Sequence, residues 1–321
     1  MESAGHIPVL MDEILELLAP QQGEALADCT AGRGGHASEI GKRVGASGTV
    51  VLSDLDAGNL HFAEGRVRAL PDAPKVIAVH GSFERMPQTL RTAGLQAHML
   101  LADLGFASNQ MDDPARGLAF GQPGPLDMRL DPGSGPTAEA LLATMTESQL
   151  ADTIFELGED PFARRIARCI IERRQQGALR TTQDLADAVR KAYGARAHQS
   201  RVHPATRTFM ALRIAVNQEL ERLGALLSAI GQAAASIAAG KPTWLAPGAR
   251  VAIVAFHSLE DRSIKRSFVE WERQGWASRL TKKPLVANES EQAHNPRSRS
   301  AKLRAVRLEP RGEDDAWQDH G

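Results

Sequence analysis

The chemistry-bearing residues of this 321-residue chain cluster at the ends of short apolar runs. Asp28-Cys29-Thr30-Ala31-Gly32-Arg33-Gly34-Gly35-His36-Ala37 contains GxGxxA immediately after the first run, and Asp54 ends the second, eighteen residues past His36. A glycine-rich turn lets backbone N–H groups approach a ligand, and a carboxylate ending the second strand can accept hydrogen bonds from ribose hydroxyls. A further acid, Asp103, ends the fourth run. A Gly-rich turn alone also serves tight packing, but turn, acid and acid on successive strand ends point to a nucleoside-type cofactor. NAD and S-adenosylmethionine both fit. A pyrophosphate wants a helix N-terminus free of acids, whereas a methionine ammonium group can use Asp28, which tilts the balance towards S-adenosylmethionine.

These residues must be positioned by strands at Ala25–Cys29, Thr49–Ser53, Lys75–Val79, His98–Ala102 and Arg250–Phe256, with Lys302–Leu308 a weaker sixth. Helix-length segments such as Ala37–Val44 and Asn59–Leu70 separate the first four, so an α/β fold with a doubly wound, Rossmann-like parallel sheet is expected. The 147 residues between the fourth and fifth runs far exceed a crossover helix. Helical periodicity over Glu147–Glu159, Phe162–Arg174, Thr182–Tyr193 and onward from Pro204 makes that insertion helical. The expected organisation is a discontinuous cofactor-binding domain over 1–107 and 216–321, with an inserted helical domain over 108–215. Residues 107–135 are rich in Gly, Pro and Asp and read as a functional loop or as a linker.

The net charge of −1 hides a reversal of sign. Residues 1–160 carry 10 basic against 23 acidic residues, residues 161–215 carry 12 against 3, and residues 257–312 carry 13 against 7. Two basic segments suggest a polyanion-docking face. Cys29 and Cys169 form no CxxC and have no nearby histidine cluster, so neither a disulfide framework nor a metal site is indicated. With no signal-peptide pattern and an Ala-rich run at 223–240 broken by polar residues, a cytoplasmic protein without membrane spans is expected.

Four longer segments are more specific: Asp103-Leu-Gly-Phe-Ala-Ser-Asn-Gln110, Gly124-Pro-Leu-Asp-Met-Arg-Leu-Asp131, His203-Pro-Ala-Thr-Arg-Thr-Phe-Met-Ala-Leu-Arg213 and Phe256-His-Ser-Leu-Glu-Asp-Arg262. Together with His6–Leu10, the GRGGH turn and Asn295–Arg304, the chain resembles the bacterial small-subunit ribosomal RNA cytosine-N4 methyltransferases over about residues 6–308. The resemblance implies methylation of the exocyclic N4 of a cytosine in the decoding centre of 16S rRNA, in the small ribosomal subunit, with S-adenosylmethionine as cofactor. It further implies that Gly34, Gly35, His36, Asp54, Phe83, Asp103 and Gln110 line the cofactor. Two segments depart from the family pattern: DLGVSS is DLGFAS here, which puts Phe106 and Ala107 beside the expected methyl donor, and RGFSF is RGLAF.

Methyl transfer from a sulfonium demands in-line alignment more than acid–base power, and an oxygen accepting from the amino group helps localise the lone pair of N4. Amino-methylating enzymes often carry an acid, two prolines and an aromatic after the fourth strand. Here the prolines are missing from Asp103-Leu104-Gly105-Phe106, leaving Asp103 as the candidate. His257 is the second catalytic candidate, against a reading in which Ser258 and Glu260 make this segment a helix cap. Arg207 and Arg213, and especially Arg297, Arg299, Lys302 and Arg304, are candidate phosphate contacts. Phe106, Phe120, Phe155 and Phe162 are the candidate stacking rings. Competing readings are a methyltransferase of another RNA, an NAD-dependent oxidoreductase and a non-catalytic ribosome assembly factor. A homodimer is compatible with the sequence but not demanded by it.

Overall fold

Strand and helix alternate from the first described turn of the chain. The order is α1 (Met11–Leu18), β1 (Ala25–Asp28), α2 (Gly35–Val44), β2 (Thr49–Asp54), α3 (Ala57–Arg68), β3 (Lys75–His80), α4 (Met86–Thr92) and β4 (Ala97–Asp103). Six helices follow: α5 (Ser108–Asp112), α6 (Ala138–Thr144), α7 (Glu147–Gly158), α8 (Ala163–Gln175), α9 (Thr182–Tyr193) and α10 (Ala205–Asn217). The chain closes with α11 (Glu219–Ala238), β5 (Leu245–Ala255), α12 (Ser258–Arg273), β6 (Ala277–Arg279), α13 (Glu289–His294) and β7 (Lys302–Leu308). This computed structural model describes residues 8–199 and 202–310, so His6 and Ile7 of the HIPVL segment lie outside the described residues. Two compact units result, Met1–Gly105 with Glu221–Gly321, and Phe106–Leu220.

In the first unit the sheet order is β3-β2-β1-β4-β5-β7-β6. β3 to β5 are parallel, and β5 pairs with β4 across the 141 residues between them in sequence, as the expected doubly wound fold requires. The weak sixth run is a strand but not a parallel one: β7 is antiparallel to β5, and β6 is antiparallel to β7. After α12 the chain returns through β6 and α13 rather than through another crossover helix, so the direction reverses. Alternation along each strand sorts the core into two layers. Val51, Leu100, Ala102, Val251 and Ile253 meet Leu90, Leu223, Leu227, Ile264 and Phe268, while Val50, Leu52, Met99, Leu101, Ala252 and Val254 meet Ile14, Leu18, Ile40, Leu60 and Val67. Burying each such side chain contributes about 1.5–3 kcal/mol, so both sheet faces anchor the edge that carries the acids.

In the second unit α7 packs on α8 and α10, and α8 on α9. The crossing of α7 on α10 is close: a Cβ on Gly158 would lie 2.8 Å from the Arg207 carbonyl oxygen. The buried Tyr193 hydroxyl donates to Asp160 at 2.8 Å. The segment 107–135 is tied down: a Cβ on Gly117 would lie 2.1 Å from the Pro125 carbonyl oxygen. Asn217 accepts from Leu130 N–H at 2.7 Å and donates to Met128 O at 2.8 Å. The periodicity from Pro204 onward is interrupted, because Gln218 takes a left-handed conformation (φ 51°) and separates α10 from α11.

Candidate functional site

Parallel strand order reverses between β1 and β4, and ligands of open α/β sheets bind outside the carboxyl ends of strands at such a point. Asp28, Asp54 and Asp103 are the last residues of β1, β2 and β4. Thr30 joins two of these ends: its N–H donates to Asp28 Oδ1 at 3.1 Å, and its hydroxyl oxygen accepts the Asp103 N–H at 2.6 Å. Asp54 shapes the turn itself. Its Oδ2 accepts from Gly32 N–H at 2.7 Å and its Oδ1 from Asp56 N–H at 2.8 Å, leaving each oxygen further lone pairs for a ligand. Asp56 Oδ1 caps α3 by accepting from Gly58 and Asn59 N–H, both at 3.0 Å.

The electrostatics follow from the burial of several acids together. Desolvation pushes the Asp28 carboxyl up to about 7, with a smaller push from Asp54 and an opposing pull from Thr30 N–H. Asp54 rises to about 6, again chiefly by burial, which its two backbone N–H bonds only partly offset. Asp103 rises to about 8 through burial, then through the charges of Asp28 and Glu260. Its Oδ1 is buried without a hydrogen-bond partner, and its Oδ2 lies 3.8 Å from His36 Nδ1. Burial raises all three carboxyls, and a cation beside them would favour their ionised forms.

The residues expected to line a cofactor divide by role and by unit. Gly34 and Gly35 are glycine for packing: a Cβ on Gly34 would lie 2.8 Å from Ala63 Cα, and one on Gly35 would lie 2.4 Å from Pro8 Cγ. Gly32 (φ +50°) is the open one, with nothing nearer than 3.9 Å to its added Cβ. His36 is buried, and its Nε2 is 2.9 Å from Val9 O. Phe83 follows β3 and packs, half-buried, on the α4 and α11 side of the sheet. Gln110 belongs to the second unit, where it is buried and its Oε1 accepts Ala107 N–H at 2.8 Å.

His257 follows β5 at the same sheet edge, with its Nε2 3.2 Å from Glu260 Oε1. Glu260, almost wholly buried, takes the Phe256 and His257 N–H groups on Oε2 at 2.9 and 3.4 Å, so the capping role read in this segment is real. Sequence reasoning treated Glu260 only as a cap and passed over Thr30. Their signal was position alone, one within the Gly-rich turn and the other three residues past His257.

Several candidate RNA contacts are already occupied. Arg304 is buried and donates to Asp261 at 2.6 Å, and Lys302 lies 3.7 Å from the same carboxylate. Arg213 makes a two-pronged pair with Glu219 at 2.7 and 2.8 Å, and Arg207 donates to Glu159 O at 2.9 Å. Asp127 and Arg129 bridge each other at 2.7 Å. Phe120 is stacked on His203 at 4.5 Å and edge-on to Phe209, and Phe162 is edge-on to Tyr193. The Arg213 guanidinium lies 4.9 Å over the Phe106 ring, whereas Phe155 stays exposed. Neutralising Arg304 or Arg213 therefore tests an ion pair before it tests RNA.

The model of the MraW methylase family matches residues 3–309. The chain belongs to this family of methylases. Relatives named ribosomal RNA small subunit methyltransferase H include one from Syntrophobacter fumaroxidans, 41% identical over 94% of this chain and 95% of its own length. Another, from Sorangium cellulosum, is 44% identical over 94% of this chain and 90% of its own. Among solved structures, an rRNA methylase from Streptococcus thermophilus aligns over 95% of this chain and 99% of its own, with 11% identity and a TM-score of 0.38. Among the described residues no helix is long and apolar enough to cross a membrane.

Proposed function

We propose that this chain is an S-adenosylmethionine-dependent methyltransferase of small-subunit ribosomal RNA, and that its acceptor is the exocyclic N4 of a cytosine in the decoding centre. The observation that carries the reading is the set of strand-end acids Asp28, Asp54 and Asp103 around the open Gly32 turn, in a chain whose residues 3–309 match a methylase family. The names of its relatives support the small-subunit RNA as substrate. The resemblance of the DLGFAS, PLDMRLD and FHSLEDR segments supports cytosine N4, and the cytoplasm, where ribosomal subunits are assembled, as the place of action.

The site suits that cofactor on its own terms, because an unpartnered buried carboxylate oxygen on Asp103 and two further buried acids would be relieved by a ligand carrying positive charge. When bound, S-adenosylmethionine supplies an electrophilic sulfonium methyl. Asp54 would accept from the ribose hydroxyls, and the Gly32 turn would let backbone N–H groups approach. Asp28 and Asp103 would face the cationic end. Phe83 is assigned to the cofactor with them. Asp103 Oδ1 is the acceptor assigned to the amino N–H, steadying the N4 lone pair as charge develops. His257, braced against Glu260, would contact the base or its phosphate. The alkylated amine is acidic enough for water to receive its proton, so no strong general base is needed.

The test is to incubate small subunits lacking base methylation with labelled S-adenosylmethionine and the protein, then identify the labelled nucleoside by mass spectrometry. N4-methylcytidine is expected. Label on another base would sink the cytosine assignment, and no label despite cofactor binding would sink the small-subunit substrate.

A further inference from the structure

On α3 the apolar residues Leu60, Ala63 and Val67 are buried, whereas Phe62 points away from them and is 46% exposed. Its ring is not bare: the guanidinium carbon of Arg33 lies 3.9 Å from the ring centroid. Arg33 is held there from both sides. Gly32 N–H is fixed on Asp54 at 2.7 Å, and Gly34 sits so close to Ala63 that a Cβ would meet its Cα at 2.8 Å. The Gly-rich turn is thus pressed onto α3 one residue from Phe62, and Arg33 emerges between its two fixed points.

The acids nearby are turned to other partners: Asp54 and Asp56 accept backbone N–H groups of the turn and of α3, and Glu64 pairs with Arg68 at 2.7 Å. Arg66, one helical turn after Phe62 and therefore on the same face, is exposed. Among the described residues neither Arg33 nor Arg66 has a carboxylate partner. A guanidinium held 3.9 Å above a ring can also stack with a base, and a second arginine one turn away without a carboxylate partner offers a phosphate contact.

We propose that Arg33, Phe62 and Arg66 form a docking patch for a single-stranded segment of the RNA substrate, with a base stacked on Arg33 and backbone phosphate on Arg66, at the outer rim of the cofactor turn. This rests on the RNA substrate proposed above and adds a contact within the cofactor-binding unit. Unmethylated small ribosomal subunits are the probe. The variants Arg33→Gln/Arg66→Gln and Phe62→Ala are compared with the parent protein for binding over a salt series and for S-adenosylmethionine affinity. The double variant should lower the slope of log affinity against log salt by about 1–2, and Phe62→Ala should weaken binding on the order of tenfold at fixed salt. Cofactor affinity should stay at the parent value in both. Parent-like slope and affinity in both variants, with the parent protein binding subunits normally, would overturn the patch alone. Failure of the parent protein to bind subunits would overturn the RNA substrate and the patch with it. A fall in cofactor affinity matching the loss of binding would make Arg33 a prop of the turn and also overturn the proposal.

Discussion

Burial in the fold raises the proton affinity of the acids at the strand ends. Asp28, Asp54 and Asp103 lie at about 7, 6 and 8 in the fold, against 3.8 when free, so the folded state holds more protons than the unfolded one between those limits. Their contribution to stability is complete below about pH 4 and is lost as pH rises through 6 to 8. The cofactor-free protein should therefore lose thermal stability over that window, and Asp28→Asn, which stays neutral, should flatten the loss in a melting series. Because a cation prefers ionised carboxylates, affinity for S-adenosylmethionine should increase over the same window. Calorimetry in two buffers of different ionisation enthalpy should show proton release, and affinity that is flat from pH 6 to 8.5 would contradict this coupling. The neighbouring glycines behave differently. Gly34→Ala meets Ala63 backbone at φ +72° and should cost about 2–4 kcal/mol in urea unfolding, whereas Gly32→Ala has open space and should cost about 1 kcal/mol. The Gly-rich run was visible in the sequence, but which glycine has open space beside it and which is packed on α3 was not, since both needs select the same residue.

Among the elements, the strand ends were legible because buried parallel strands are short continuous apolar runs, and the first four fall within one or two residues of the runs at Ala25, Thr49, Lys75 and His98. Two features had no such signal. β6 is a three-residue strand, too short for any period, and the break at Gln218 contains no glycine or proline while apolar spacing runs on through it. The break is made by tertiary bonds, with Asn217 turned to Met128 and Leu130. Composition shows the basic residues of β7 but not their partner: Arg304 and Lys302 both lie against Asp261. Burial alone would raise the Asp261 carboxyl, but the Arg304 hydrogen bond and the charges of Arg304 and Lys302 outweigh it and hold Asp261 below the usual range. Arg304→Ala leaves that carboxylate with the weaker Lys302 contact, so it should cost about 2–3 kcal/mol of stability. The salt slope of subunit binding should not move. A stable variant with a reduced slope would restore Arg304 as a phosphate contact.

At the scale of the molecule, the first unit is closed by contacts between distant parts of the chain. Glu291 accepts Leu10 N–H at 2.8 Å, and Arg250 pairs with Glu24 while donating to Leu18 O at 2.8 Å. Loop-closure entropy grows only slowly with length, so such a unit can accommodate an insertion of more than a hundred residues between β4 and α11. The two units differ in charge as well as in build. The acids that suit a cationic cofactor belong to the first, while α8 of the second exposes Arg164, Arg165 and Arg168 on one face. The only ion pair these three make among the described residues is Arg168 to Glu147, at 3.6 Å between exposed side chains and worth little. Charges held so cheaply are available to RNA phosphates. Changing all three to glutamine should reduce the salt slope of subunit binding by about 2–3 and leave melting temperature and S-adenosylmethionine affinity unaltered. Equal slopes for variant and parent would mean that this face of α8 is solvated surface, and would shift the search for phosphate contacts to the cofactor-binding unit, where Arg33 and Arg66 stand unpaired.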